Sequence, residues 1–245
     1  MNCRKPPRVT IDTNVIGAAL KPGSAFRSHL HDKKCRAYVA ETSLTLDGLF
    51  KHGKVDLLAR RDVGHAFNKR RWDEFVSAGV TFLLCPRIAL PRPTYTNEAG
   101  DRDVYTAKFK SDEHTYSQDD RLDRYSELAR YIETNLAAGI EWLAEFEREI
   151  FQRGGQFNQQ DAWYTNVARN IDTIGEKRFG KRFADWADAD AIAAHYAYGN
   201  DIFCTDDAAG GAGSRSVLSA ANRERLMREF GIEFRSLDDV CTIIA

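Results

Sequence analysis

The stretch Asp188–Asp207, DADAIAAHYAYGNDIFCTDD, constrains the fold more than any other part of the chain. Ala189 to Tyr198 is an apolar run that reads as a helix. Gly199-Asn200 is a stop signal of the kind found at helix C-termini. Asp201–Thr205 then reads as a short apolar strand. A helix passing through a tight turn into a buried strand is a building block of α/β sheets. Carboxylates bracket the unit, with Asp188 and Asp190 at one end and Asp206 and Asp207 at the other. This reading puts Asp188 at the helix start and Asp207 just past the strand. In open parallel sheets, ligands gather outside the carboxyl ends of the strands.

The N-terminus repeats the pattern. Arg8–Asp12, RVTID, is a β-branched run ending in a carboxylate, with Thr13-Asn14 directly behind it. Asn14–Leu20 reads as a first helix, broken by Lys21-Pro22-Gly23, and Ser24–Lys33 as a second. Arg36–Ala40 is a second strand. Thr42 or Ser43 can cap a helix beginning near Leu44. Val63–Ala78 is helical, with Phe67, Trp72, Phe75 and Val76 as its apolar face, and Gly79 ends it. Val80–Cys85, VTFLLC, is continuous and apolar, as a buried parallel strand should be. Thr94–Glu113 is polar and without period, and reads as a long loop. From Leu122 to Phe151 the apolar residues Leu122, Tyr125, Leu128, Ile132 and Leu136 recur at helical spacing, continuing to Ile150. Asp161–Gly175 is a further helix candidate. Val217–Phe230 is helical, Ile232–Arg235 a last strand, and Ser236 an N-cap for a closing helix, Leu237–Ile244. Strands alternating with helices predict a parallel sheet with helices on both faces, a three-layer α/β/α fold.

The chain has 245 residues, enough for one large domain or two small ones. No linker stands out, so residues 1–245 read as a single domain. Residues 86–180 are an enlarged loop and helical region within it. No apolar run approaches the ~20 residues of a membrane span. The basic start, MNCRKPPRVTID, lacks a signal-peptide centre, so the expected location is cytoplasmic. Five scattered cysteines without a C-x-x-C pair fit reduced thiols. Cys85 and Cys204 fall in strands and read as core. Net charge is -1, which does not point to nucleic acid on its own. Basic clusters at Arg60-Arg61 and Lys69-Arg70-Arg71 read equally well as a solvated helix face or as phosphate contacts.

IDTNV at the N-terminus, the late D-A-x-A-I-A-A and the closing T-D-D together resemble the PIN-domain nucleases. The resemblance covers roughly residues 8–60 and 183–240. It implies a PIN-like, Rossmann-like version of the α/β/α fold. It also implies a divalent-metal-dependent endoribonuclease using Mg2+ or Mn2+. Asp12, Asp188 and Asp207 would be metal ligands. Asp47, on the helix after the second strand, matches the family's remaining acid, with Glu41 its rival. Products would carry 5′-phosphate and 3′-hydroxyl ends. Many bacterial relatives are toxins held by an antitoxin, so an antitoxin protein joins RNA among the candidate partners, with a second copy of the chain; no membrane partner is expected.

The chemistry asks for these residue types. Phosphodiester hydrolysis needs an activated water and a stabilised leaving oxygen, and hard divalent cations held by carboxylates supply both. Asn14 suits orienting Asp12 or the scissile phosphate, and Thr205 suits holding an acid or water through its hydroxyl. Asp190 would point about 200° round an ideal helix from Asp188. It and Asp206 are secondary candidates. Each acid also has an ordinary reading: Asp188 as an N-cap, Asp206-Asp207 as a turn, Asp12 as a salt-bridge partner. His195 lies in an apolar helix and reads as a core histidine. Gly210–Gly213 lacks a Walker lysine, and a serine-hydrolase elbow is absent from the sequence. A phosphatase using Asp12 would want an acid where Asn14 stands. The competing class is a non-catalytic nucleic-acid-binding or assembly protein that keeps the fold.

Overall fold

The computed structural model describes residues 5–40, 73–83, 94–96, 102–104, 116–136, 148–156, 170, 176–207 and 216–245. Its strands in chain order are β1 (Arg8–Ile11), β2 (Arg36–Ala40), β3 (Val80–Leu83), β4 (Thr94–Thr96), β5 (Arg102–Val104), β6 (Ile202–Cys204) and β7 (Glu233–Arg235). The main helices are α1 (Thr13–Ala19), α2 (Ala25–His31), α3 (Gln118–Leu136), α4 (Glu176–Tyr198), α5 (Ala220–Phe230) and α6 (Leu237–Ile244). Five strands form one parallel sheet in the order β3-β2-β1-β6-β7. β4 and β5 pair antiparallel as a separate hairpin.

Side-chain alternation along the strands sorts the core into two layers. Val9, Ile11, Ala37, Val39, Val80, Phe82, Ile202 and Cys204 face one side. There they pack with Val15, Ile16 and Ala19 of α1, Phe26 and Leu30 of α2, and Val240 and Ile244 of α6. Tyr38, Ala40, Leu83, Phe203 and Phe234 face the other side, against α3, α4 and Leu226 of α5. Strands buried on both faces explain why the sequence reads there as unbroken apolar runs. The protein is therefore an α/β structure with helices on both faces of a parallel sheet. Among the described residues no helix is long and apolar enough to cross a membrane.

Local signals set several boundaries. Ser24, Ser219 and Ser236 cap α2, α5 and α6 through their hydroxyls. At Ser236 the cap is reciprocal with Asp239, whose carboxyl is held below its ordinary range first by those bonds to Ser236. Gly231 ends α5 at φ 69°, a left-handed conformation in which a Cβ is strained. At the C-terminus of α4, Arg124 of α3 donates to the Tyr196 carbonyl at 2.8 and 3.1 Å. Its guanidinium lies over the Tyr196 and Tyr116 rings, at 3.8 and 4.1 Å. A cation placed there suits the negative end of the helix dipole.

The structure corrects four expectations. Helix α4 starts at Glu176, so Asp188 lies in the helix interior and is not its N-cap. The stretch expected to be a loop, Thr94–Glu113, contains the β4–β5 hairpin. Leu122, placed on the apolar stripe of α3, is 47% exposed because that stripe begins at Tyr125 where α3 meets α4. Val76 is 49% exposed while Phe75 beside it stacks on Phe82 of β3. The helices expected from Leu44 and over Asp161–Gly175 lie outside the described residues, apart from the helical Asn170.

Candidate active site at the sheet edge

Order β3-β2-β1-β6-β7 means that the chain leaves β1 for one side of the sheet and later fills the other side through β6. The strand order reverses between β1 and β6. In open α/β sheets this switch point opens a crevice at the carboxyl edge, where ligands bind. Ile11 pairs with Cys204 at the end of the β1–β6 ladder. The next residues, Asp12 and Thr205, therefore meet at the mouth of that crevice.

Asp12 is only 3% exposed, yet its carboxylate is firmly held. Its backbone NH donates to the Cys204 carbonyl at 2.9 Å, extending the ladder. Its side chain caps α1, with Oδ1 accepting from the Thr13 amide at 2.7 Å. Oδ2 accepts from the Thr205 hydroxyl, also at 2.7 Å. Thr205 Oγ1 in turn accepts from Asn14 Nδ2 at 3.1 Å and from the Asp207 amide at 3.1 Å. The Asp206 amide reaches Asn14 Oδ1 at 3.5 Å. Asp12, Asn14, Thr205 and the turn carrying Asp207 are thus one hydrogen-bonded network across the switch point. Thr205→Val keeps the shape but leaves Asp12 Oδ2 without this donor and two NH groups without this acceptor. Urea unfolding of Thr205→Val should show a loss of about 1–3 kcal/mol; stability equal to the parent chain would contradict this network.

The other acids fall into two groups. Asp206 is exposed, and its Oδ1 accepts from the Leu237 amide at the first turn of α6 at 2.9 Å. It ties the turn after β6 to the next helix, a structural role. Asp190 is 2% exposed and accepts from the hydroxyl of Tyr125 on α3. Asp188 and Asp207 are partly exposed. Asp47 and Glu41 lie outside the described residues.

Helix geometry places Asp188 relative to Asp12. His195 of α4 meets Thr10 of β1, Nδ1 to Oγ1, at 2.8 Å, which fixes the level of the helix on the sheet. α4 leads through a short turn into β6 and so runs antiparallel to the strands. Seven residues from His195 back to Asp188 rise about 10 Å and return to within about 20° of the same direction. Asp12, two residues past Thr10, lies about 7 Å up its strand. Asp188 therefore stands on the sheet-facing stripe of α4, slightly beyond the carboxyl edge where Asp12 sits. Asp190 is level with Asp12, about 7.5 Å along the helix from His195, but about 140° round from it, toward α3.

These acids suit a hard divalent cation in chemistry, since Asp12, Asp188 and Asp207 offer only oxygen donors. Among the described residues no three Asp, Glu, His or Cys side chains are gathered closely enough to hold a metal ion.

Other titratable groups nearby belong to the core. His195 is 2% exposed, packs edge-on against Phe203 at 5.5 Å, and is pushed down to about 3, first by burial and then by Arg8. It stays neutral at neutral pH, as expected of a core histidine. Thr10 Oγ1 also accepts from Asn200 Nδ2 at 2.8 Å, which ties the turn before β6 to the same point. The Cys204 thiol is pushed up to about 12, first by burial and then by the charge of Asp206, so it is no nucleophile. Neither Tyr125 as the partner of Asp190 nor Thr10 as the partner of His195 was evident from sequence. Tyr125 sits on an apolar stripe whose periodicity signals burial but not hydrogen bonding, and Thr10 meets His195 only because α4 packs on that face of β1. Comparison with protein families, with curated proteins and with solved structures found no match for the chain.

Proposed function

We propose that the chain is a divalent-metal-dependent phosphodiester hydrolase of PIN type that cleaves RNA internally. The observation that carries this reading is the buried, twice-held carboxylate of Asp12 at the switch point, networked to Asn14, Thr205 and the Asp207 turn. A buried carboxylate at the ligand-binding edge of a parallel sheet costs desolvation, and the bonds from Thr13 and Thr205 hold it there. Asp12, Asp188 and Asp207 would hold Mg2+ or Mn2+, and an acid from Glu41 or Asp47 would complete the set. The metal would supply an activated water and charge stabilisation on the leaving oxygen. Asp12 provides a fixed oxygen donor. Thr205 holds Asp12 in orientation, and Asn14 presents a side-chain amide on the crevice side of α1. RNA is the substrate we assign, and a toxin role with an antitoxin partner extends the same reading.

A non-catalytic nucleic-acid-binding role is the second reading. It is favoured by the use of two of the acids within the fold, Asp190 by the hydroxyl of Tyr125 on α3 and Asp206, in the turn after β6, by the amide of Leu237 on α6. One experiment separates the two. Purified protein is incubated with single-stranded RNA and Mn2+ or Mg2+, with a chelator control. The nuclease reading expects fragments with 5′-phosphate ends that vanish with chelator. RNA binding that weakens with salt, with no cleavage under either metal, would establish the second reading instead.

A further inference from the structure

We propose that Tyr125 is a positioning residue for the acidic turn Asp188–Asp190, holding it against the carboxyl edge of the sheet. This rests on the nuclease reading for its functional consequence, but its structural content stands apart. From Ala187 to Ala194, beside Asp188, the buried apolar residues of α4 are alanines apart from Ile192. Alanines make shallow ridges, so ridge-into-groove packing specifies the rotation and axial register of such a helix weakly. Buried polar links are the devices that specify register.

Among the described residues, two links buried at both ends hold α4, beside the part-buried bonds from Arg124 to the Tyr196 carbonyl. His195 to Thr10 ties its C-terminal half to β1. The Tyr125 hydroxyl to Asp190 Oδ1 ties the helix to α3, with Tyr125 8% and Asp190 2% exposed. The links lie five residues apart, about 7.5 Å along the axis and about 140° round it. Links in different directions together fix level and rotation, and the Tyr125 link acts on the turn that carries Asp188. The second lies within one turn of Asp188, so it controls where that carboxylate projects. Leu128 of α3, one turn from Tyr125 and fully buried in the same seam, contributes packing without a polar link.

The test compares the parent chain, Tyr125→Phe and Leu128→Ala. Tyr125→Phe should weaken Mn2+ binding, read by titration calorimetry, and Mn2+-dependent RNA cleavage by about tenfold or more, the scale for residues that orient ligands. Leu128→Ala should lower the melting temperature more, yet leave Mn2+ affinity within about twofold of the parent. Hydrogen exchange should quicken in Tyr125→Phe at residues 184–192 while 193–198 stay protected by the His195 link. Parent-like Mn2+ affinity and exchange in Tyr125→Phe would overturn the proposal, as would equal weakening of Mn2+ binding by Leu128→Ala. If the parent chain neither binds Mn2+ nor cleaves RNA, the nuclease reading fails, and the exchange pattern alone then decides the positioning claim.

Discussion

Asp12→Asn should abolish metal-dependent RNA cleavage, by about two orders of magnitude or more, the scale of leaving transition-state charge poorly stabilised. An amide oxygen is a weaker ligand for a hard divalent ion than a carboxylate. RNA binding through Lys and Arg should persist, measured by fluorescence anisotropy at two salt concentrations. Two effects on stability oppose each other. Relief of repulsion among edge carboxylates favours the amide, but the local hydrogen bonds oppose it. Thr205 Oγ1 accepts from Asn14 and Asp207 and gives its proton to Asp12 Oδ2. An NH2 at that position faces an oxygen whose two lone pairs are taken, so one donor is left unmatched. We expect a net loss of about 1–3 kcal/mol, visible as a lower melting temperature in a protein with unchanged far-ultraviolet circular dichroism. Full activity in Asp12→Asn would remove Asp12 from the site.

Acid should destabilise the protein strongly through His195. Its folded pKa is about 3, against an ordinary value of 6.5, because burial, and then Arg8, disfavours the imidazolium. Between those values the unfolded chain binds a proton that the folded chain does not, so protonation favours unfolding. The contribution of neutral His195 is complete above about pH 6.5 and is lost as pH falls toward 3. At ~1.4 kcal/mol per pH unit the loss is on the order of 5 kcal/mol across that window. His195→Gln is neutral throughout and should have a flatter stability profile between pH 4 and 6.5, whatever its stability at neutral pH. Parallel profiles for the two proteins would show that His195 is not the group responsible.

The sheet was legible from sequence because its strands are buried on both faces. RVTID, RAYVA and VTFL are short β-branched or aromatic runs between turn signals, and Arg36–Ala40 is the strand over those same residues. The cap at Ser236 was legible because a hydroxyl before an apolar periodic run has few other uses, whereas Ser24, read as part of its helix, is the cap of α2. The start of α4 was not. Phe179, Phe183 and Trp186 do carry the period back from Asp190, but the carboxylates Asp188 and Asp190 ahead of the apolar run read as the helix start. The hairpin at Thr94 escaped because three-residue strands in a polar stretch carry no alternation to detect.

At the site, sequence order indicated that Asp12 and Thr205 would lie on one edge, since both end apolar strands. It did not show that they bond to each other. That contact depends on β1 and β6 being neighbours, which is a fact of topology and not of local pattern. The same holds for Asp190. As a carboxylate two residues from Asp188 it resembled a second site acid, and only the packing of α3 on α4 reveals the Tyr125 hydroxyl that holds it.

Anomalous scattering from crystals soaked in Mn2+ tests the central claim most directly, because it locates the ion without requiring the right RNA. The account predicts a manganese peak within about 2–2.5 Å of an Asp12 carboxylate oxygen, in the crevice between β1 and β6, with Asp188 or Asp207 turned toward it. Saturating Mn2+ with no peak at Asp12, or a peak bound wholly by residues away from that edge, would contradict it.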